Sequence, residues 1–229
     1  MIPIRDNLRS KGVPLVTYTL IGLNVLIYLW DRHWSVFGPS LDFADLAVRP
    51  VEIVAVLGGG GDTRDLVTLF TCMFLHGGIA HLLGNMLFLL TFGPNVEIGL
   101  GPWRYTLYYL FWGIMASGAH IFVMPTSAVP ALGASGAIGG ILGCYLLLFP
   151  SSRITFIVPP FLFYPFIIPA WIMLGLWFVF QVAFPQAGVA NWAHAGGFLA
   201  GMLTVLVAGG RARLLKDVRF EQEPDPEYA

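Results

Sequence analysis

Two residues of this chain have the type and the setting for nucleophilic chemistry. One is Ser135, in the run Gly133-Ala134-Ser135-Gly136; the other is His194, in Ala193-His194-Ala195-Gly196-Gly197. Both stand at the mouths of long apolar segments. A serine that opens a helix has unpaired backbone N–H groups and the positive end of the helix dipole beside it. Such donors can hold the oxyanion of an acyl-transfer intermediate, and small neighbours let a substrate backbone come close. An imidazole in reach would take the hydroxyl proton. Each residue alone has a plainer reading. Gly136, Gly139, Gly140 and Gly143 also suit helix packing, and a histidine at a helix mouth also suits an interface. The two readings join at Gly197 and Gly201, four apart, which let the His194 helix approach a neighbour closely. If that neighbour is the glycine-faced helix of Ser135, hydroxyl and imidazole meet.

A third stretch runs from His76 through His81 to Asn85. His81 and Asn85 are four apart and share one helix face. A neutral imidazole N–H and a carboxamide NH₂ are both donors, so the pair can complete an oxyanion site. The plainer alternative is helix-to-helix hydrogen bonding. Metal binding has little support: HExxH is absent and no carboxylate lies near these histidines. Gly59-Gly60-Gly61-Asp62 spells the GxGD of intramembrane aspartyl proteases, but it sits in a charged loop without an intramembrane partner aspartate. No Asp or Glu falls centrally in any apolar segment, so the spacing points to a Ser-His dyad with His194 oriented by packing.

These residues need long apolar elements to position them, and the composition supplies those. Of 229 residues 57% are hydrophobic and 11% charged, against roughly 25% charged in a soluble domain. The mean hydropathy is +0.76. A bilayer crossing takes about 20 mostly apolar residues. Six candidates approach that: 14–30, 81–98, 105–124, 135–149, 157–184 and 192–208. The fourth is short and suits a helix that starts below the membrane surface at a wet cavity. The fifth is broken by Pro159, Pro160, Pro165 and Pro169, so only its later part need be regular helix; its Phe161-Leu162-Phe163-Tyr164 run reads as interfacial or lipid-facing packing. Asp31-Arg32-His33 follows the first apolar run in place of a small-residue cleavage site, so that run reads as a retained helix. Cys72 and Cys144 read as small buried hydrophobes.

The expected organisation is an all-α polytopic six-helix membrane domain over 14–208. A cytoplasmic segment, 1–13, precedes it, and a solvated cytoplasmic tail, 209–229, follows. Putting the N-terminus inside leaves Arg5, Arg9, Lys11, Arg104, Arg153, Arg211, Arg213, Lys216 and Arg219 inside. Of the 12 basic residues only Arg32, Arg49 and Arg64 are then outside. This is the positive-inside pattern, and it sets Ser135 and His194 near the outer face. The outer loop, 31–80, is long enough to need a purpose and is expected to lie partly in the outer leaflet and brace the helices. No basic patch interleaves with aromatics, which excludes nucleic acid as a partner.

The combination His76-x-x-x-x-His81-x-x-x-Asn85, Gly133-x-Ser135-Gly136 and Ala193-His194-x-x-Gly197-x-x-x-Gly201 resembles the rhomboid family of intramembrane serine proteases, of the six-helix bacterial type. The resemblance covers the chain from Leu20 to about Gly201. It implies Ser135 as nucleophile, His194 as general base, and His81, Asn85 and the Ser135 N–H as the oxyanion site. His76 matches a supporting position, and Gly133, Gly136, Gly197 and Gly201 support the site through packing. It implies single-pass transmembrane proteins as substrates, cut near the outer end of their helix after a small residue in a lipid setting, and no cofactor. The short N-terminal segment and tail, with no transit-peptide pattern, set the expectation of a bacterial inner membrane, with an organelle membrane as the alternative. Two positions depart from the pattern. Many members carry a Trp-Arg pair in the first loop where this chain has Val67 and Thr68, so the loop is braced differently or Arg64 substitutes. Many carry an aromatic four residues after the serine, where this chain has Gly139.

Three functions were thus open to the residues: a Ser-His endopeptidase, an inactive rhomboid-like protein that binds membrane clients, and a small transporter relaying protons through His81 and His194. The second class usually lacks the serine or the histidine, and both are here. The third wants paired intramembrane carboxylates, which the sequence lacks.

Overall fold

A computed structural model describes residues 2–9, 11–38, 43–158, 162–186 and 188–223. In chain order the helices are α1 (Leu15–Asp31), α2 (Pro50–Leu57), α3 (Thr68–Thr71), α4 (Ile79–Leu100), α5 (Pro102–Val123), α6 (Ser135–Leu148), α7 (Ala170–Ala183), α8 (Asn191–Val207) and α9 (Gly210–Leu214). The strands are β1 (Ile2–Asp6), β2 (Leu8–Arg9), β3 (Arg153–Val158), β4 (Leu162–Pro169) and β5 (Glu221–Gln222). Two helices, α4 and α5, are long and apolar enough to cross a bilayer by length and composition; α1, α6, α7 and α8 are apolar but shorter.

Helix α6 is the axis of the bundle. It is the sequence SGAIGGILGCYLLL, and 11 of its 14 residues are buried, so it has no solvent or lipid side to speak of. Its glycines meet α8 backbone to backbone. A Cβ on Gly197 would fall on the Gly136 carbonyl, one on Gly201 on the Gly140 carbonyl, and one on Gly143 on the Phe198 carbonyl. Gly136 to Gly140 advances with Gly197 to Gly201, and Gly139 to Gly143 with His194 to Phe198, so α6 and α8 run parallel and both N-termini lie at one end of the bundle. Without side chains between them the two axes are held as close as helices can come. Helix α5 closes the other side: Gly140 packs on Trp112 and Gly196 on Ala119, and Trp112 Nε1 donates to Thr204 Oγ1 at 2.9 Å.

Buried polar groups pin the opposite end. Glu97 of α4 caps the start of α1, accepting from Val16 N–H at 2.9 Å, Thr17 N–H at 2.7 Å and the Thr17 hydroxyl at 2.7 Å. A carboxylate at a helix N-terminus meets both the unpaired amides and the dipole there. Asp6 Oδ2 of β1 accepts from Asn95 Nδ2 and from the Tyr145 hydroxyl, both at 2.6 Å, which ties the first strand to α4 and α6.

The expected all-α fold is corrected here. β1, β3 and β4 form an antiparallel sheet in the order β1-β3-β4, and β2 pairs with β5. The expected fifth span, 157–184, is regular helix only over Ala170–Ala183; what precedes it is the β3–β4 hairpin. Prolines exclude that stretch from a helix but are tolerated on an edge strand, which β4 is. The Phe161–Tyr164 packing expectation falls on side chains outside the described residues. The tail is likewise not simply solvated: Leu8 pairs with Gln222, Arg9 forms an ion pair with Glu223, and Phe220 packs edge-on against Phe149 at 4.7 Å between centroids.

The loop over 31–80 packs inward at Ala47, Val48, Ile53, Cys72, Met73 and Leu75, all buried. It grips the segment before α6 directly. Val48 bridges to Ala131, and Gly133 N–H donates to the Cys72 carbonyl at 2.8 Å. Arg64 does not act as its brace, since it is exposed and pairs with Asp62 beside it. The buried arginine is Arg32, which donates to Asp31 at 2.9 Å and lies 4.1 Å over the Tyr28 ring. Asp31 in turn accepts from Phe43 N–H at 3.0 Å.

The backbone contact between α6 and α8 predicts the outcome of two substitutions. Gly201→Ala places a methyl on the Gly140 carbonyl and should cost on the order of 1–3 kcal/mol, read as a lower thermal midpoint in detergent. Gly22→Ala, at a position with nothing within 4 Å, should leave the midpoint unchanged or raise it. Equal midpoints for both variants would contradict the seam.

Candidate active site

The chain turns into α6 through Gly133, whose φ of +121° is a conformation L side chains rarely adopt. Space forbids a side chain there as well: a Cβ would come within 2.7 Å of His81 Nε2 and 3.4 Å of Asn85 Nδ2. Ser135 and Gly136 therefore open the helix hard against the α4 face that carries His81 and Asn85. Their N–H groups precede the bond from Ile138 N–H to the Ala134 carbonyl, at 2.9 Å, so they belong to the unpaired first turn.

His194 stands on the first turn of α8. Its Nε2 is 2.8 Å from Ser135 Oγ. The other ring nitrogen, Nδ1, is 2.8 Å from Gln181 Oε1 on α7. The Trp177 ring, one turn earlier on α7, lies beside the imidazole with centroids 5.9 Å apart and planes at 30°. Gly139, where the resemblance expects an aromatic, has no room for one: a Cβ there would be 2.7 Å from the His194 carbonyl. The indole from α7 occupies the flank of the histidine instead.

Asn85 is buried and its Nδ2 lies 2.9 Å from His76 Nε2. A carboxamide nitrogen can only donate, so His76 Nε2 accepts and the proton of the neutral ring sits on Nδ1. One Asn85 N–H is thereby committed and the second is left for the cavity. His76 lies in the loop ahead of α4 and is 1% exposed. Burial first, and the neighbouring His81 second, hold its pKa down to about 3. It is thus a neutral acceptor at any ordinary pH.

His81, Asn85, Ser135, Trp177, Gln181 and His194 line one open cavity of about 320 Å³. All of the sequence-predicted polar site residues except His76 border it, and His76 stands directly behind Asn85. Gly133, Gly136, Gly197 and Gly201 are the packing positions that draw the three helices together. Among the described residues, no cluster of three or more His, Cys, Asp or Glu side chains has the form of a metal site. A hydroxyl bonded to an imidazole, with amide and imidazole donors converging nearby, is suited to acyl transfer. Gln181, Asn191 and Trp177 escape the sequence reading. The one available signal was Gln181 itself, the single hydrogen-bonding amide in the otherwise apolar AWIMLGLWFVFQVA.

Residues 63–211 match the family model described as the Rhomboid domain. Over 200 residues the chain is 32% identical to the rhomboid protease GluP of Bacillus subtilis, covering 87% of this chain and 36% of that protein. It is 28% identical over 233 residues to the mitochondrial Rhomboid protein 1 of Saccharomyces cerevisiae, covering 85% and 64%. With the Rhomboid-type serine protease 2 of Emericella nidulans it shares 32% identity over 136 residues, covering 57% and 24%. The matched part is less than two thirds of the length of each of these relatives.

The buried neutral His76 sets a pH dependence of stability. Its pKa of about 3 in the fold lies below the unperturbed 6.5, so between those values the unfolded chain binds the proton and the fold does not. Stability is then full above 6.5 and falls as pH drops toward 3, at up to roughly 1.4 kcal/mol per unit. Thermal midpoints measured across this window should fall less steeply in His76→Gln than in the parent. Parallel curves would assign the acid loss to other groups.

Proposed function

The chain belongs to the rhomboid family, and from that premise we propose that it is an intramembrane serine endopeptidase using Ser135 and His194. The family makes it a multi-pass integral membrane protein. The observation that carries the proposal is the 2.8 Å contact between Ser135 Oγ and His194 Nε2 inside a cavity that opens to the surface.

In the proposed reaction His194 Nε2 takes the hydroxyl proton as Ser135 Oγ attacks a backbone carbonyl. The oxyanion is held by His81, by the free N–H of Asn85 and by the Ser135 backbone N–H. His194 gives its proton to the leaving amine as the peptide bond breaks. Water entering from the cavity side, activated by the same imidazole, then releases the acyl chain. The substrate class is a single-pass transmembrane protein whose helix unwinds locally into the cavity, cut near its outer end. Proline-flanked α7, which walls the cavity with Trp177 and Gln181, is the proposed side of lateral access. The proposed topology has six crossings, α1 and α4 to α8, in a bacterial inner membrane with both termini cytoplasmic. The charge distribution supports this, since the basic residues of β1, β2, β3 and α9 gather at the end opposite Ser135. The client-binding, inactive alternative is disfavoured by the presence of both reacting groups in contact.

The test is labelling of the detergent-purified protein with a fluorophosphonate, together with cleavage of a transmembrane reporter in liposomes. The parent should label and cleave, and Ser135→Ala and His194→Ala should do neither. His81→Ala and Asn85→Ala should each lower the cleavage rate by about 10²–10³. A parent that neither labels nor cleaves, or labelling that survives in Ser135→Ala, would overturn the proposal.

A further inference from the structure

The four hydrogen bonds that surround His194 can be polarised in one direction only. The Gln186 backbone N–H, which can only donate, lies 3.0 Å from Asn191 Oδ1. That turns the Asn191 NH₂ the other way, where Nδ2 donates to Gln181 Oε1 at 2.9 Å. The Gln181 oxygen, and not its nitrogen, therefore faces His194 Nδ1 at 2.8 Å. A carbonyl oxygen only accepts, so the proton of the neutral imidazole must sit on Nδ1. The lone pair is then on Nε2, the atom 2.8 Å from Ser135 Oγ.

We infer that Gln181, aligned by Asn191, is the positioning residue that holds His194 in the Nδ1–H tautomer and so keeps Nε2 ready to accept the Ser135 proton. This rests on the endopeptidase reading for its consequence in rate, but the tautomer itself does not. The chain begins at a main-chain amide, whose polarity no side-chain rotation can reverse. Reversing either carboxamide would set two donors or two acceptors face to face in a half-buried site, which costs the full desolvation of the groups left unpaired. A carboxylate would serve the same geometric end, but would bring a charge beside the apolar Trp177, Phe180 and Phe184 side chains that line the cavity with Gln181. The neutral amide fixes orientation without that cost. It also means that α7 and α8 must be closed on each other for the pair to be correctly protonated.

The experiment uses the full chain in detergent, labelled with ¹⁵N-histidine, the His194 signals being those missing from His194→Ala. The parent should show the proton on Nδ1. Gln181→Met keeps the volume and removes the acceptor. It should lose the dominance of that tautomer and lower kcat about tenfold, the weight of one hydrogen bond, at unchanged KM. Gln181→Glu keeps the acceptor and should retain the Nδ1–H signature and most of kcat. Its added charge favours the protonated ring, so the acid limb of the pH–rate profile should move to higher pH. Asn191→Leu removes the donor that aligns Gln181 and should mix the tautomers as Gln181→Met does, so a poorly folding Gln181 variant does not stall the test. A parent with its proton on Nε2, or a folded Gln181→Met with parental tautomer and kcat, would overturn the inference. The endopeptidase reading fails separately, through survival of cleavage in Ser135→Ala.

Discussion

The rest of the molecule depends on the absence of side chains between α6 and α8. Helix axes in contact through leucines stand apart by the length of those side chains. Here Gly136, Gly140, Gly197 and Gly201 put carbonyl oxygens of one helix against the Cα atoms of the other. The parallel register that follows carries both helix openings to one level. A serine and a histidine borne on these first turns are then brought to 2.8 Å by main-chain geometry, with no long flexible element between them. The rigidity of the pair is the rigidity of two helical backbones.

That closeness favours a setting in which polar groups are answered, because an unpaired one in apolar surroundings is expensive. The fold answers several of them in pairs. Glu97 of α4 satisfies the first amides of α1. Asp6 of β1 gathers Asn95 and Tyr145. His76, kept neutral by burial, accepts from Asn85 and leaves it one donor. Asn191 and Gln181 do the same for His194. Each contact fixes an orientation as well as satisfying an atom. Preorganised donors of this kind need no rearrangement when charge develops.

The loop over 31–80 and the small sheet work at opposite ends of the bundle. The first holds the Gly133 turn in place through Cys72 and Val48, which matters because that turn has a positive φ and no side chain of its own to pack. The second gathers the N-terminal strand, the proline-rich hairpin and the tail. Anchored there, α7 enters the bundle from an extended strand and not from a helix. Its one polar side chain then reaches His194 from the side opposite Ser135.

Much of this was legible in the residues. The long apolar runs and the distribution of arginine and lysine follow from hydrophobic transfer and charge, which depend on local composition. The glycine spacings at 136–143 and 197–201 mark helix contacts because only glycine permits them. Ser135, His194, His81, Asn85 and His76 stand out since polar groups in such runs need a reason. The hairpin at 153–169 was not legible as strand: its prolines say what it is not, and the partner that makes it a sheet, Ile2–Asp6, lies about 150 residues away. Asp31 and Arg32 looked like an ordinary loop, because burial is a property of the packed whole. The same holds for Gln181. Sequence alone determined which side chains could react and which helices could touch. Only the tertiary structure decided which nitrogen of His194 faces the serine, because the direction of a hydrogen bond is set by its neighbours in space, and those come from three separate stretches of the chain.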